Sequence, residues 1–238
     1  YHPCNTVVAI AGNYDWDALL ALVGEFFGDF PDQGEALVAG GWQTILSGRM
    51  AREKDTEQLQ ISLGYPGVAL GSDDVYALSV FNNALGGGMS SRLFQRIREE
   101  LGMAYSVYTY PVSYPGVGTF TIYAGTSPEN GEVVLREIQA ELQKALDGGF
   151  TDKEFKSAKA QLKGGFLLGL ESSSGRMQSI GRSKLLLDRL TPPEETLAKI
   201  EAVTMDDVLR VGRLALCASP SAAIVGKNAD GYLRLIKE

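Results

Sequence analysis

The sequence predicts an α+β protein in which an antiparallel sheet is backed by helices. Three observations carry that prediction. Residues 58–65 alternate polar and apolar side chains, the mark of a half-buried strand. Two further alternating stretches, Tyr105 to Tyr110 and Thr119 to Ala124, are joined through Pro115-Gly116 in the manner of a hairpin with a longer loop. The second half then strings helix-start signals together with only one short strand after them, so strands and helices do not alternate as in a doubly wound sheet.

Each element follows from local chemistry. The β-branched run Thr6 to Gly12 predicts a strand ended by Gly12-Asn13. Asp15 then caps a helix whose apolar residues Leu19, Leu20, Val23, Phe26 and Phe27 recur at helical spacing. Gly28 to Gly41, rich in Gly, Asp and Pro, predicts a linker. After the alternating strand, Ser72-Asp73-Asp74 caps a helix through Leu78, Phe81 and Leu85, and Gly86-Gly87-Gly88 predicts a left-handed C-cap. Ser90-Ser91 starts another helix carrying Leu93, Phe94, Ile97 and Leu101. Beyond the hairpin, Ser127-Pro128 places a cap before Pro at the first helical position. Thr151 with Glu154 and Thr191 with Glu194 have capping-box spacing, and Thr204-Met205-Asp206-Asp207 opens one more helix. Ala222 to Val225 is the closing strand. No short-period repeat is evident.

The 238 residues suffice for one large domain or two small ones. At 45% hydrophobic and 21% charged, the chain has a globular composition. A net charge of −7 and a pI of about 4.9 argue against nucleic acid as a partner. No apolar run approaches the ~20 residues of a membrane span; the most apolar stretch, Gly164 to Leu170, is short. The sequence opens on Tyr1, which implies a missing or processed N-terminus and leaves the compartment open. Cys4 and Cys217, at opposite ends, are expected to be buried structural thiols.

Metal chemistry is constrained by one count. A catalytic zinc takes three protein ligands and a water, and the single histidine, His2, permits neither HExxH nor HxxEH. Nor does it allow a credible Ser-His-Asp or Cys-His arrangement. The chain is expected to bind no metal and to hydrolyse no peptide by zinc chemistry on its own.

The run Gly86-Gly87-Gly88-Met89-Ser90-Ser91-Arg92-Leu93-Phe94, followed by Arg98 to Val107, resembles pitrilysin and mitochondrial-processing peptidases, the inverzincins, in the half that lacks the metal. Glu57-Gln58, Tyr123-Ala124-Gly125-Thr126, Ala158 to Lys163, Glu171-Ser172, Arg176-Met177 and Val203-Thr204 extend the likeness in family order. The resemblance implies a division into 1–40, the tail of a preceding catalytic half plus linker, and 41–238, a C-terminal inactive peptidase-like domain. It also implies a sheet-and-helix fold shared by both halves, with the zinc, its ligands and its glutamate base on the N-terminal half. Peptide would be the substrate, and self-pairing of the isolated half is a further expectation. Arg98 and Tyr105 match the arginine–tyrosine pair with which family members face the zinc, and Gly86, Gly87 and Gly88 would form a hinge or contact loop.

Each residue also has a plainer role. The triple glycine serves as a helix stop, Arg98 beside Glu99 and Glu100 as a solvated helix charge, and Tyr105 as one strand residue near Tyr108 and Tyr110. Glu171 and Arg176 are expected to make structural contacts at a helix bend. A catalytically silent structural or partner subunit is the competing function.

Overall fold

The computed structural model describes residues 2–31 and 47–236. Most of the expected 28–41 linker, and the boundary after residue 40, lie outside these residues. In chain order the main elements are α1 (Trp16–Phe27), β1 (Arg49–Glu53), β2 (Leu59–Pro66), α2 (Asp74–Leu85) and a π-helix (Phe94–Glu100). Next come β3 (Ala104–Tyr114), β4 (Val117–Thr126), α3 (Gly131–Gly148), α4 (Asp152–Gly169) and α5 (Ser173–Leu187). They are followed by α6 (Pro193–Ala202), α7 (Met205–Leu216), β5 (Ser221–Gly226) and α8 (Ala229–Leu233). Two compact units result, Tyr1–Trp42 with Gly164–Thr196, and Gln43–Lys163 with Leu197–Glu238.

The larger unit holds a five-stranded sheet in the order β1-β5-β2-β4-β3. Three of its four pairings are antiparallel, as the sequence predicts, and the edge pairing of β1 with β5 is parallel. Alternation in β2 sends Leu59, Ile61, Leu63 and Tyr65 to the inner face and Gln60 and Ser62 to the outer one. Register aligns Ile224, Ile61, Ala124 and Val107 in one inner row, all buried. Phe81 of α2 crosses Phe120 edge-on at 5.8 Å and Phe150 at 5.5 Å. Gly212 of α7 makes room for it, because a Cβ there would lie 2.3 Å from the Phe81 ring.

Both sheet edges are closed off. On β1, Arg49 donates to the carbonyls of Leu233 and Ile236, and Glu53 accepts from the N–H groups of Asn228 and Asp230, fastening α8 to the edge. On β3, the Thr109 N–H donates to the Gly86 carbonyl at 3.0 Å. Pro111, facing the same edge two residues on, has no N–H to offer. At the far end Leu70 donates to the Tyr114 carbonyl. An exposed edge is a template for unwanted pairing, and this one is interrupted at those three points.

Several local expectations need correction. Gly86 has φ −155°, so the triple glycine is no left-handed cap. Glycine is required there by close approach, since a Cβ at Gly86 would lie 2.6 Å from Thr109 Cγ2 and 2.9 Å from its backbone nitrogen. The hairpin strands run to Tyr114 and Val117, leaving a two-residue turn at Pro115-Gly116 with Gly116 at φ +80°. Residues 6–12 form no strand, because no sheet exists in their unit among the described residues to supply a ladder. Ala9 instead lies against Gly181 of α5. Cys4 and Cys217 are both exposed rather than buried.

In the smaller unit Asp15 caps α1 by accepting from the Ala18 N–H at 2.9 Å, and Ser172 caps α5 through Gly175. Arg176 donates to the Leu170 carbonyl at 2.7 Å across the α4–α5 turn, the bend contact expected of it. Neither α1 nor α5 buries a single residue, although Trp16, Leu20 and Phe26 are apolar.

Candidate functional site

The sequence between the glycine loop and β3 carries three arginines, and the structure gives them different work. Arg92 donates to both carboxylate oxygens of Glu154, at 2.5 and 2.9 Å, and to the Gly149 carbonyl, while lying over the Phe150 ring. Glu154 also closes the capping box with Thr151. Hydrogen bonding to Arg92 holds its carboxyl down at about 2. Arg96 bridges Glu137 of α3 at 2.9 Å and Glu100 at 3.0 Å. These two side chains pin the helix start and the π-helix to α3 and the α3–α4 turn.

Arg98, two residues and so roughly half a turn further on, faces away from those partners. Its guanidinium lies 5.1 Å from the Phe94 ring centroid and has no ion pair among the described residues. Glu100, two residues on, is taken by Arg96. Arg98 therefore sits exposed and uncommitted on a segment whose backbone is fixed. That segment is π-helical, with Leu101 N–H reaching back five residues to the Arg96 carbonyl. Such wide turns recur at functional positions because they insert a residue and re-aim its neighbours.

Gly102, at φ +63°, then turns the chain into β3. There Ala104 pairs with Thr126 and Ser106 with Gly125, so Tyr105 is the unpaired residue of a β-bulge. Burial shows the break in alternation. Ala104 and Val107 are both buried, although three residues apart in a regular strand they would face opposite sides. Tyr105 is 59% exposed and its hydroxyl has no hydrogen bond among the described residues. Bulges commonly re-aim a side chain in this way.

The outer face next to Tyr105 is aromatic and polar. Tyr108 lies 4.8 Å from its cross-strand partner Tyr123 and 6.0 Å from Tyr110, centroid to centroid. Partial burial and the two neighbouring phenols raise the Tyr108 pKa. The Tyr123 hydroxyl donates to Gln60 Oε1, and Gln60 in turn donates to Gln58 at 3.0 Å. Gly125 leaves a gap beside the bulge that a Cβ would close against Ser106 Oγ at 2.9 Å. Sequence reasoning gave this floor no role, although the spacing of Tyr108 and Tyr110 signalled a shared face.

The glycine loop borders β3. Its fixing points are the Gly86 carbonyl on Thr109, the Thr109 hydroxyl on Asn82 Oδ1 at 2.7 Å, and the Ser91 hydroxyl on the Gly88 carbonyl. Met89 stands at its tip, 76% exposed. The three glycines, Arg98 and Tyr105 thus lie on consecutive, mutually braced elements. Among the described residues no three His, Cys, Asp or Glu side chains gather to hold a metal. His2 is half-buried at the other unit's first turn.

A family model described as the peptidase M16 inactive domain matches residues 1–162. An uncharacterized zinc protease of Mycobacterium tuberculosis is 40% identical over 239 residues, covering 97% of this chain and 53% of that protein. The uncharacterized zinc protease YmxG of Bacillus subtilis is 35% identical over 232 residues, covering 97% and 56%. Among solved structures, a peptidase M16 inactive domain from Pseudomonas fluorescens superposes with a TM-score of 0.79 at 24% identity, covering 91% of this chain and 52% of that one. A protease from Helicobacter pylori gives 0.78 at 21% identity, covering 91% and 53%. The chain spans about half the length of the curated relatives it matches.

Proposed function

Because the chain belongs to the peptidase M16 inactive-domain family, we propose that it is the substrate-binding half of a zinc endopeptidase acting on peptides or unfolded segments. The observation that supports this most is the contrast among the arginines: Arg92 and Arg96 are spent on holding the π-helix, and Arg98 is held out on it unpaired. Arg98 and Tyr105 are cationic and neutral donors suited to a substrate carbonyl whose oxygen gains negative charge during attack. The Tyr108–Tyr123 floor offers apolar area to an extended peptide, and the fixed glycine loop fits a contact wall better than a hinge. Zinc, its ligands and the base would be supplied from outside this chain, by an N-terminal half.

The test is cleavage of a fluorogenic peptide by the complete enzyme. Arg98→Ala and Tyr105→Phe are each expected to lower kcat by about 100-fold, the scale of losing one oxyanion donor, with thermal melting unchanged. Full turnover in both variants would instead favour a silent structural or partner subunit.

A further inference from the structure

On the helix-covered side of the sheet a cavity of about 600 Å³ opens between α3, the α7–β5 connection and the end of β2. Its position separates it from the Arg98–Tyr105 site. Tyr65 is on the inner face, and lies five residues along β2 from Gln60, roughly 17 Å at strand rise. The size falls within the range of small-molecule sites.

Three features of the lining point to one chemistry. Tyr65 is only 8% exposed, lines the cavity, and its hydroxyl has no partner among the described residues. That hydroxyl opens onto the cavity rather than being sealed in the core, so a ligand acceptor can reach it. Burial pushes this phenol up to about 12, so it remains a donor throughout the neutral range. Arg136 of α3 also lines the cavity and has no ion pair among the described residues, whereas Arg92, Arg96 and Arg210 each hold a carboxylate. Among the described residues no acidic side chain lines the cavity, in a chain of net charge −7. Leu63, Leu142 and Ile236 supply apolar wall.

We propose that this cavity binds a small carboxylate bearing an apolar tail, Arg136 supplying the opposing charge and the Tyr65 hydroxyl a hydrogen bond. The chemistry is shared by a medium-chain fatty acid and by the free C-terminus of a short apolar peptide. The proposal is independent of the peptidase role.

Cys217, exposed and on the cavity lining, provides the readout. In the full 238-residue chain carrying Cys4→Ser it is the only thiol, and its modification by N-ethylmaleimide is followed against added ligand. Decanoate below its micelle concentration, or N-acetyl-leucyl-leucine, is expected to slow the modification saturably. Decanol, decylamine and the peptide amide are expected to give no protection. Protection by only one of the two acids identifies the source. Arg136→Gln should raise the half-protecting concentration about tenfold or more, and Tyr65→Phe several-fold, as expected for losing hydrogen bonds to a charged group. Arg136 is on the surface of α3 and Tyr65→Phe removes only an unpaired hydroxyl, so both variants should melt like the parent. Absence of protection by either acid, equal protection by decanol, or an unchanged titration in Arg136→Gln would overturn the proposal.

Discussion

At the scale of residues, the sequence named Arg98 and Tyr105 but could not show that they differ from their neighbours. Arg92, Arg96 and Arg98 are alike on paper, and only the placement of Glu154, Glu137 and Glu100 separates two braces from one free cation. Tyr105 likewise needed the bulge, which arises from a register shift against β4 and leaves no mark in composition. The Arg92–Glu154 brace makes a prediction of its own. Its folded carboxyl is held at about 2 against an ordinary 4.5, so its contribution is complete above the ordinary value and is lost as pH falls through the folded one. Glu154→Gln should cost about 1–3 kcal/mol at pH 7, the scale of a charge-assisted hydrogen bond. Urea unfolding between pH 7 and 3 checks it, the gap between parent and variant narrowing below about pH 4.5.

Elements were legible where periodicity or capping chemistry was strong. β2 emerged from pure alternation, and the box at Thr151 is hydrogen-bonded as its spacing implied, while Thr204, read only as a helix start, forms a box with Asp207 as well. β1 escaped notice because Arg49–Glu53 is a short, charged edge strand whose pairing depends on β5, distant in sequence. The π-helix escaped too, since its apolar spacing resembles that of an ordinary helix. The glycines show how element packing decides energetics. Gly86→Ala should destabilise the sheet unit by about 1–3 kcal/mol, because the new methyl meets Thr109 side chain and backbone alike. Gly102→Ala meets open space and should cost only about 1–2 kcal/mol of left-handed strain. Denaturant midpoints rank the two, and Thr109→Ser, which trims the clashing methyl, should partly rescue only the Gly86 variant.

For the whole molecule, the contrast is between a unit with a core and one whose described residues contribute nothing to it. Phe81 is fully buried among Phe120, Phe150 and Gly212, and Phe81→Ala should cost about 3–5 kcal/mol. Helices α1 and α5 bury nothing, so they should exchange amide protons through local opening while β2 and β4 exchange only on global unfolding. Mass-detected hydrogen exchange on the purified chain distinguishes the two, and equal protection would deny the difference. The position of β5 has a consequence for biosynthesis. It lies between β1 and β2, yet it follows every other strand of the sheet, and the Gly48 to Ser221 contact that opens its pairing with β1 spans 173 residues. On the ribosome, β2, α2, β3 and β4 can assemble as they emerge, but β1 must wait unpaired until nearly the entire domain has been made. Closing so long a loop is entropically slow. During that interval the β2 edge is bare, which makes the nascent chain's most vulnerable period a matter of strand order rather than of overall stability.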